Sequence, residues 1–364
     1  MDLEQPLFFV PNRVWRLYTG GLLIDRFTGA ENENDGHLPE EWLASTVLAS
    51  NGEHTLRDNE GLSSVKIGEN DSKLLTDLLV SNGSMILGKE HFKKYGNNTA
   101  VLCKYLDSAV RLPIQCHPDV EMSKRLFNST FGKTESWHII STRTINDEEP
   151  YILLGFKEGI TAATFAKAVE DQDLTGMVDM LHRIPVKPGD TYFVPPRMPH
   201  AIGTGVFMLE VQEPSDWVIQ PEKYCADMQL TDQDMWGPLT PENGLQVFEY
   251  KGLSKDELMK RIASTHNVIF SSEEIMVEEL IGPSHTSAFG LWKATVMKGA
   301  GTVELPVEFA LMVVENGSGS IRWSNRERKL KQSDYFIKPA VLKEFEFSTD
   351  GILEVLICLP PVVQ

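Results

Sequence analysis

Turn-forming residues interrupt this chain of 364 residues at short intervals, and the runs between them are rich in β-branched and aromatic side chains. This spacing is typical of short antiparallel strands that fold into a sandwich or a barrel. The clearest strands are expected at residues 100–106, 111–116, 136–141, 191–194 and 206–212. A mainly β fold is therefore predicted.

Helical patterns are confined to three blocks. Apolar residues recur at helical spacing in residues 71–80 and 161–181, and Ser254 stands where it can cap a helix over residues 254–263. We expect these helices to be insertions packed on the β core. The β pattern resumes near residue 266, with strands expected at 308–314, 319–323, 334–338 and 351–359.

Two short segments carry side chains that suit a divalent metal. Gln115 and His117 are two residues apart in an extended run, so alternation places them on one face. In the next segment, Glu135 shares a face with Trp137, whereas His138 points the other way. A carboxylate among apolar groups must be paired or bound to a metal, because isolated burial of its charge costs several kcal/mol.

A third segment adds a second imidazole. Prolines and glycines hold His200 in a turn before the strand 206–212, on which Glu210 faces the same side as Gln212. Each residue alone also fits an ordinary role: His117 and His200 as turn or strand-end histidines, Glu135 in a surface pair with Lys133. Together they offer two imidazoles, a carboxylate and an amide oxygen, which predicts a site for one divalent ion, with zinc preferred.

The second β portion is expected to lack such a site. Residues 187–195 are echoed by residues 331–339, so the two portions are interpreted as distant duplicates, but the second has no histidine equivalent to His200. We therefore predict a metal-binding barrel over residues 1–250, with helical insertions at about 65–97 and 157–183. Residues 251–364 are predicted to form a helical connector and a C-terminal sandwich without metal.

Over most of its length the sequence resembles the class I mannose-6-phosphate isomerases, also called phosphomannose isomerases, which are metal-dependent enzymes of the cupin superfamily. The similarity runs through Val14-Trp15, Glu40 to Ser45, Lys104 to Asp107, Gln115 to Asp119, Gly132 to Trp137, His200 to Gly203 and Glu210 to Gln212. It implies two cupin-type jelly-roll domains, of which the first binds metal.

The resemblance also implies residue roles. It makes Gln115, His117, Glu135 and His200 the zinc ligands. It makes Lys133 and Glu210 catalytic, and Trp15, Gln212 and Gln220 residues that bind the substrate. The implied reaction interconverts mannose 6-phosphate and fructose 6-phosphate through a cis-enediol, with Glu210 or Lys133 moving the proton.

One departure from the family bears on the substrate. The family usually has an arginine four residues beyond the position of Asp216, and this chain has Gln220 there. A neutral amide binds phosphate more weakly than an arginine fork does. For a phosphorylated substrate, Arg197, Lys223 or another cation is therefore expected to take the place of the arginine. The alternatives are an isomerase of a different sugar, with or without a phosphate, and a non-catalytic sugar-binding cupin. An iron cupin oxygenase is disfavoured, because such a site would use more histidines.

Composition limits the partners. The formal net charge of -18 disfavours binding to nucleic acid or to an anionic membrane, because both require a basic face. No run of about 18 uncharged apolar residues is present, and the first residues are acidic, so a cytoplasmic protein is expected. A small sugar or sugar phosphate is the expected partner, and an oligomer is compatible with the sequence.

Overall fold

The structure, a computed structural model, describes residues 2–363. Antiparallel strands form its core, as predicted. The strands are β1 Leu7–Phe8, β2 Arg13–Val14, β3 Glu40–Leu43, β4 Ser64–Lys66, β5 Ser72–Leu74, β6 Leu102–Ser108, β7 Glu135–Thr142, β8 Tyr151–Phe156, β9 Leu181–Pro185, β10 Thr191–Val194, β11 His200–Ile202, β12 Val206–Gln212, β13 Tyr224–Cys225, β14 Met228–Gln229, β15 Asn267–Ser271, β16 Ile275–Ile281, β17 Gly290–Val296, β18 Gly299–Gly301, β19 Ala310–Trp323, β20 Arg326–Lys331, β21 Tyr335–Lys338, β22 Glu346–Thr349 and β23 Leu353–Leu359.

Helices are short and lie between the strands. They are α1 Leu22–Thr28, α2 Leu75–Leu87, α3 Lys89–Tyr95, α4 Val120–Phe127, α5 Ala162–Asp171, α6 Leu174–Asp179, α7 Asp232–Trp236, α8 Pro241–Leu245 and α9 Lys255–Ile262. Among residues 2–363, no helix has both the length and the apolar character that crossing a membrane requires.

Two sheets of the N-terminal part share one apolar core. The larger has the order β10-β7-β12-β6-β3-β2, and the smaller has the order β11-β8-β9. Trp137 and Met208 of the larger sheet pack in the same cluster as Ile152 and Ala201 of the smaller one. Alternate residues of the same strands therefore face this interior, which is where the predicted metal-binding side chains were expected.

The opposite face of the larger sheet packs against a second, ten-stranded sheet. Phe207 and Leu209 of β12 join Leu311 and Leu356 of the later strands in one buried cluster. The ten-stranded sheet contains all the strands after residue 266 and also β1, which pairs with β21. The pairing of β1 with a strand of the C-terminal sheet was not predicted. The division of the chain into two domains at residue 250 stays a prediction.

The predicted helices are present, with different bounds in two cases. Residues 72–74 of the block predicted at 71–80 form β5, so α2 begins only at Leu75. The block at 161–181 splits at Gln172, which adopts a positive φ of 51°, and Asp173 then caps α6. The third helix agrees with its prediction, because Ser254 and Glu257 form a capping box at the start of α9.

The strand predicted at residues 111–116 is wrong. The segment makes only single bridges, from Gln115 to His200 and from Cys116 to Ile219. Pro113 has no N–H to donate to a ladder, and the N–H of Ile114 donates instead to the Glu222 carboxylate at 2.6 Å. The segment is therefore extended but anchored by a side chain.

The later strands merge where two were expected. Residues 310–323 form the single strand β19, which includes all of the predicted run 319–323 and the run 308–314 from residue 310 onward. Its pairing with β23 shifts register between Val314 and Asn316, next to Gly317, whose φ is 78°. The turn signal in the sequence is thus a β-bulge in the structure.

Candidate metal centre and substrate cavity

Three of the predicted ligands converge in the interior of the N-terminal sheets. His117 follows the anchored segment, and Glu135 and His200 are the first residues of β7 and β11. One ligand atom from each of the three lies within 4.8 Å of the others, and each side chain is 1% exposed. The contacts are His117 Nε2 to Glu135 Oε1 at 3.1 Å, His200 Nε2 to His117 Nε2 at 3.2 Å, and His200 Nε2 to Glu135 Oε2 at 3.7 Å.

Backbone carbonyls orient both imidazoles. His117 Nδ1 donates to the carbonyl of Trp217 at 2.9 Å, and His200 Nδ1 donates to the carbonyl of Met198 at 2.8 Å. Since each Nδ1 carries the proton, each neutral ring presents a bare Nε2 to the other. Two lone pairs at 3.2 Å cannot bond to each other, so the arrangement suits a cation between them.

Protonation states also favour metal binding. Burial, followed by the charge of Lys133, lowers the pKa of His117 well below its ordinary value, and burial likewise lowers the pKa of His200. Burial raises the pKa of Glu135, but the nearby cations, Lys133 first, outweigh this effect and lower it. Neither oxygen of Glu135 accepts a well-formed hydrogen bond from the described residues. Two neutral imidazoles and a carboxylate are the forms that bind a divalent ion.

Gln115 lies beside this triad. Its backbone N–H and carbonyl exchange hydrogen bonds with His200, at 2.8 Å and 2.9 Å, and its side chain lines the adjoining cavity. Residues paired in this way project to the same side. The role of Gln115 as a fourth ligand stays a prediction.

The two predicted catalytic residues both line the cavity. Lys133 Nζ lies 3.2 Å from His117 Nε2 and 3.2 Å from Glu135 Oε1. Glu210, on β12, is 3% exposed and lies 2.9 Å from Lys104 Nζ. Burial, followed by the charge of Glu135, raises the pKa of Glu210. Glu210 therefore lies on the buried face of β12.

The cavity has a volume of about 250 Å³. This is just below the roughly 300–1,000 Å³ of pockets for drug-sized ligands, so it suits a small one. A larger groove of about 740 Å³ lies near α3 and the C-terminal sheet, but the described residues that line it include no metal-ligand triad.

The predicted substrate-binding residues have different positions. Trp15 lines the cavity and stacks on His54, with ring centroids 4.2 Å apart. Gln220 also lines it, but its amide donates to the carbonyl of Asp234 at 2.9 Å. Gln212 is not among the lining residues that the structure describes, because its amide turns to the backbone carbonyls of residues 213 and 215.

Three charged residues of the cavity were missed by the sequence analysis. Arg16, Glu40 and Lys104 line it as a buried network, with Arg16 Nε to Glu40 Oε2 at 3.1 Å and Lys104 Nζ to Glu40 Oε2 at 3.7 Å. Lys104 could have been found, since alternation in the run 100–106 sends it to the same face as the apolar Leu106. Arg16 lies in a loop and has no such signal.

The two cations that were expected to replace the family arginine lie elsewhere. The guanidinium of Arg197 donates to the carbonyl of Val247 at 3.3 Å, and Lys223 is exposed. Neither is among the described residues that line the cavity. Arg197 and Lys223 therefore do not supply the expected cation, because the Arg197 side chain is hydrogen-bonded to a backbone carbonyl outside the cavity and Lys223 faces the surface.

Relatives of this chain carry a consistent name. No protein-family model matches the sequence. The "Probable mannose-6-phosphate isomerase GmuF" of Bacillus subtilis is 28% identical over 98% of this chain and 100% of its own length. The "Mannose-6-phosphate isomerase ManA" of the same organism is 25% identical over 97% of this chain and 98% of its own length.

Solved structures agree in fold. The mannose 6-phosphate isomerase from Bacillus subtilis superposes with a TM-score of 0.74 at 23% identity, covering 97% of this chain and 99% of that one. A mannose 6-phosphate isomerase bound with zinc and yttrium superposes with a TM-score of 0.68 at 14% identity, covering 96% and 98%. The chain has the cupin-type fold of these proteins and is homologous over nearly its full length to mannose-6-phosphate isomerases, which confirms the resemblance seen in the motifs.

Proposed function

We propose that this protein is a metal-dependent aldose-ketose isomerase that interconverts mannose 6-phosphate and fructose 6-phosphate. The observation that carries the proposal is the buried triad of His117, Glu135 and His200, whose bare imidazole nitrogens face a carboxylate next to a small cavity. The names of the curated relatives support the same reaction.

His117, Glu135 and His200, together with Gln115, would hold one divalent ion, with zinc as the preferred metal. The donor set of imidazole, carboxylate and amide oxygen suits zinc, and a structural neighbour of this chain was solved with zinc. When bound, the ion would polarise the sugar carbonyl and hydroxyl oxygens, which acidifies the C–H between them.

Glu210 is proposed to carry the proton between C1 and C2. Its raised pKa gives the carboxylate more basicity than an exposed glutamate has, and Lys104 at 2.9 Å holds it in place. Lys133, whose ammonium faces the triad, is proposed to donate a hydrogen bond to the oxygen on which negative charge develops. Trp15 and the cavity wall bind the remainder of the sugar.

The proposal includes a setting for the reaction. Residues 1–250 are proposed as the metal-binding domain and residues 251–364 as a connector and a sandwich without metal. The protein is proposed to work in the cytoplasm on a small sugar phosphate, without nucleic acid or membrane.

Glu210→Gln tests the proposed function, because glutamine keeps the shape of the side chain and cannot accept the proton. We expect kcat to fall by about 10²- to 10⁴-fold, with metal content unchanged. Exchange of the C2 proton of mannose 6-phosphate with solvent, followed by NMR in the metal-loaded enzyme, measures the step directly. Glu33→Gln, on an exposed glutamate that pairs with Arg26, is the control and should leave exchange unchanged. Unchanged exchange in Glu210→Gln would remove Glu210 from the mechanism.

A further inference from the structure

We propose that Arg16 binds the phosphate group of the substrate, and that Asp216 occupies the same guanidinium until the sugar phosphate displaces it. This inference rests on the proposed function, since it assigns the phosphate subsite of the same cavity. It explains how a chain with Gln220 in place of an arginine can still bind an anionic sugar.

The cavity offers few candidates for this role. Arg16, Lys104 and Lys133 are the lysines and arginines among its described lining residues. Lys133 contacts the triad, with its Nζ 3.2 Å from His117 Nε2. Lys104 lies between two carboxylates, with its Nζ 2.9 Å from Glu210 and 3.7 Å from Glu40. Arg16 is the cation that does not contact the catalytic groups.

Arg16 is held in a fixed position. Its guanidinium lies 5.0 Å from the ring centroid of Trp42, and its Nε donates to Glu40 at 3.1 Å. Glu40 is itself anchored, because the indole of Trp42 donates to it at 2.7 Å. Arg16 and Lys104 lower the pKa of Glu40 to about 2 against the opposing effect of burial, so this partner stays charged. The two terminal nitrogens of Arg16 do not contact Glu40; Nη1 donates to Asn51 Oδ1 at 2.9 Å, and both nitrogens face a second carboxylate.

Those nitrogens already hold a carboxylate in the geometry that suits phosphate. Arg16 Nη2 lies 3.1 Å from Asp216 Oδ1, and Nη1 lies 3.3 Å from Asp216 Oδ2. The backbone N–H of Ser50 donates to the same Oδ2 at 3.0 Å. A guanidinium fork and a backbone N–H that converge on one anion are a common way to bind phosphate oxygens.

Asp216 is the partner that can leave. Within residues 2–363, its carboxylate is hydrogen-bonded only to Arg16 and Ser50. Its side chain is 16% exposed, whereas that of Glu40 is 4% exposed. A phosphate carries more charge and more acceptor oxygens than a carboxylate, so it can replace Asp216 on the fork without disturbing the pair between Arg16 and Glu40.

The test compares a phosphorylated and an unphosphorylated substrate. For metal-loaded Arg16→Gln we expect KM for mannose 6-phosphate to rise about 10- to 100-fold, because a charged hydrogen bond is lost, while kcat/KM for free mannose changes little. Arg16→Lys should recover part of the affinity. Arg197→Gln, an equal charge change outside the cavity lining, should leave both substrates unaffected. An equal loss on both sugars, or no loss on either, would overturn the proposal.

Asp216→Asn provides a second measurement that does not remove Arg16. Because the substitution removes the negative charge that competes for the Arg16 guanidinium, KM for mannose 6-phosphate should fall about two- to fivefold. An unchanged or higher KM would count against the proposal. If the wild-type enzyme isomerises no sugar phosphate, the proposed function fails. The phosphate site at Arg16 is then tested separately, by calorimetric titration of the metal-loaded protein with mannose 6-phosphate and with mannose. Binding of mannose 6-phosphate but not of mannose, lost in Arg16→Gln, would uphold it, and equal binding of both sugars would refute it.

Discussion

At the scale of single residues, the candidate metal centre depends on which nitrogen of each histidine carries the proton. The carbonyls of Trp217 and Met198 accept from the Nδ1 atoms, and this leaves both Nε2 atoms directed at Glu135. Each carbonyl comes from a loop rather than a regular element. Precise orientation of the metal ligands is therefore a property of the loops at the open end of the sheets.

The ligand assignment predicts a sharp difference between two histidines. His200→Ala should lower the metal content of the purified protein from about one ion per chain to a small fraction, because a three- or four-ligand site loses an imidazole. His138→Ala is the matched control, since His138 lies on the opposite face of β7 and bonds to Thr191 and Glu315. Metal content is measured by mass spectrometry of the digested protein. Loss of metal from His138→Ala alone would contradict the site.

At the scale of elements, the segment before His117 shows how a stretch without regular pairing can still be rigid. Arg111 and the N–H of Ile114 both donate to Glu222, at 2.6 to 2.8 Å, and the Glu222 side chain is 0% exposed. A buried carboxylate thus replaces the hydrogen-bond ladder that Pro113 interrupts. The segment thus places Gln115 at the cavity and His117 in the triad beside it.

Removing this anchor should destabilise the protein and weaken the metal site together. Glu222→Ala leaves the guanidinium of Arg111 and a buried N–H unpaired, so we expect the free energy of unfolding to fall by about 3 kcal/mol. Denaturant unfolding measures the loss, and titration with zinc measures the affinity. Glu33→Ala breaks an exposed pair with Arg26 and should cost less than about 1 kcal/mol. Equal effects of the two substitutions would show that Glu222 is no anchor.

At the scale of the whole molecule, the N-terminal and C-terminal sheets are joined by apolar packing and by buried polar contacts, among them the hydrogen bond from Tyr335 of β21 to Glu41 of β3 at 3.0 Å. His138 Nε2 of β7 donates to Glu315 Oε1 of β19 at 2.8 Å, and Lys293 Nζ of β17 lies 2.8 Å from Glu315 Oε2. His138 shares a strand with Glu135 but faces the other way. The C-terminal sheet therefore contacts β7, which carries the predicted ligand Glu135, on the face opposite to that ligand.

The contacts of Glu315 predict that the free energy of unfolding decreases as the pH falls into the acid range. Burial raises the pKa of Glu315, but His138 and Lys293 outweigh it and lower the pKa from 4.5 to about 2. Because the folded pKa is the lower one, the carboxylate stabilises the fold above pH 4.5, and this stabilisation is lost as the pH falls from about 4.5 toward 2. The shift corresponds to about 3 kcal/mol.

Glu315→Gln measures that contribution. The variant should be less stable than the wild type at pH 7, and the difference should shrink as the pH falls through this range, because the wild type then loses its charge. Denaturant unfolding at several pH values gives the comparison. A difference that stays constant between pH 7 and pH 3 would mean that the carboxylate charge contributes nothing.

Local pattern allowed much of the N-terminal core to be predicted. Alternation along β7 placed Glu135 on the face of Trp137 and His138 on the opposite face, and the structure agrees. Along β12 it placed Glu210 on the face of Gln212, and the structure shows that Glu210 is buried there. A period of two is a property of the extended backbone, so it can be recognised without knowing which strands are neighbours. The convergence of His117, Glu135 and His200 was predicted from the same alternation together with the family motifs.

The remaining features were decided by contacts between residues distant in the chain. Arg16 lies in the cavity because Glu40, 24 positions later, pairs with it, and β1 joins the C-terminal sheet because it pairs with β21. Gln212 has the right alternation but turns its amide toward residues 213 and 215. The sequence by itself thus determined which faces of the strands are apolar and which residue types can bind a metal, since both depend on neighbours in the chain. Only the tertiary structure decided which charged groups share the cavity, because ion pairs form between atoms that folding brings together.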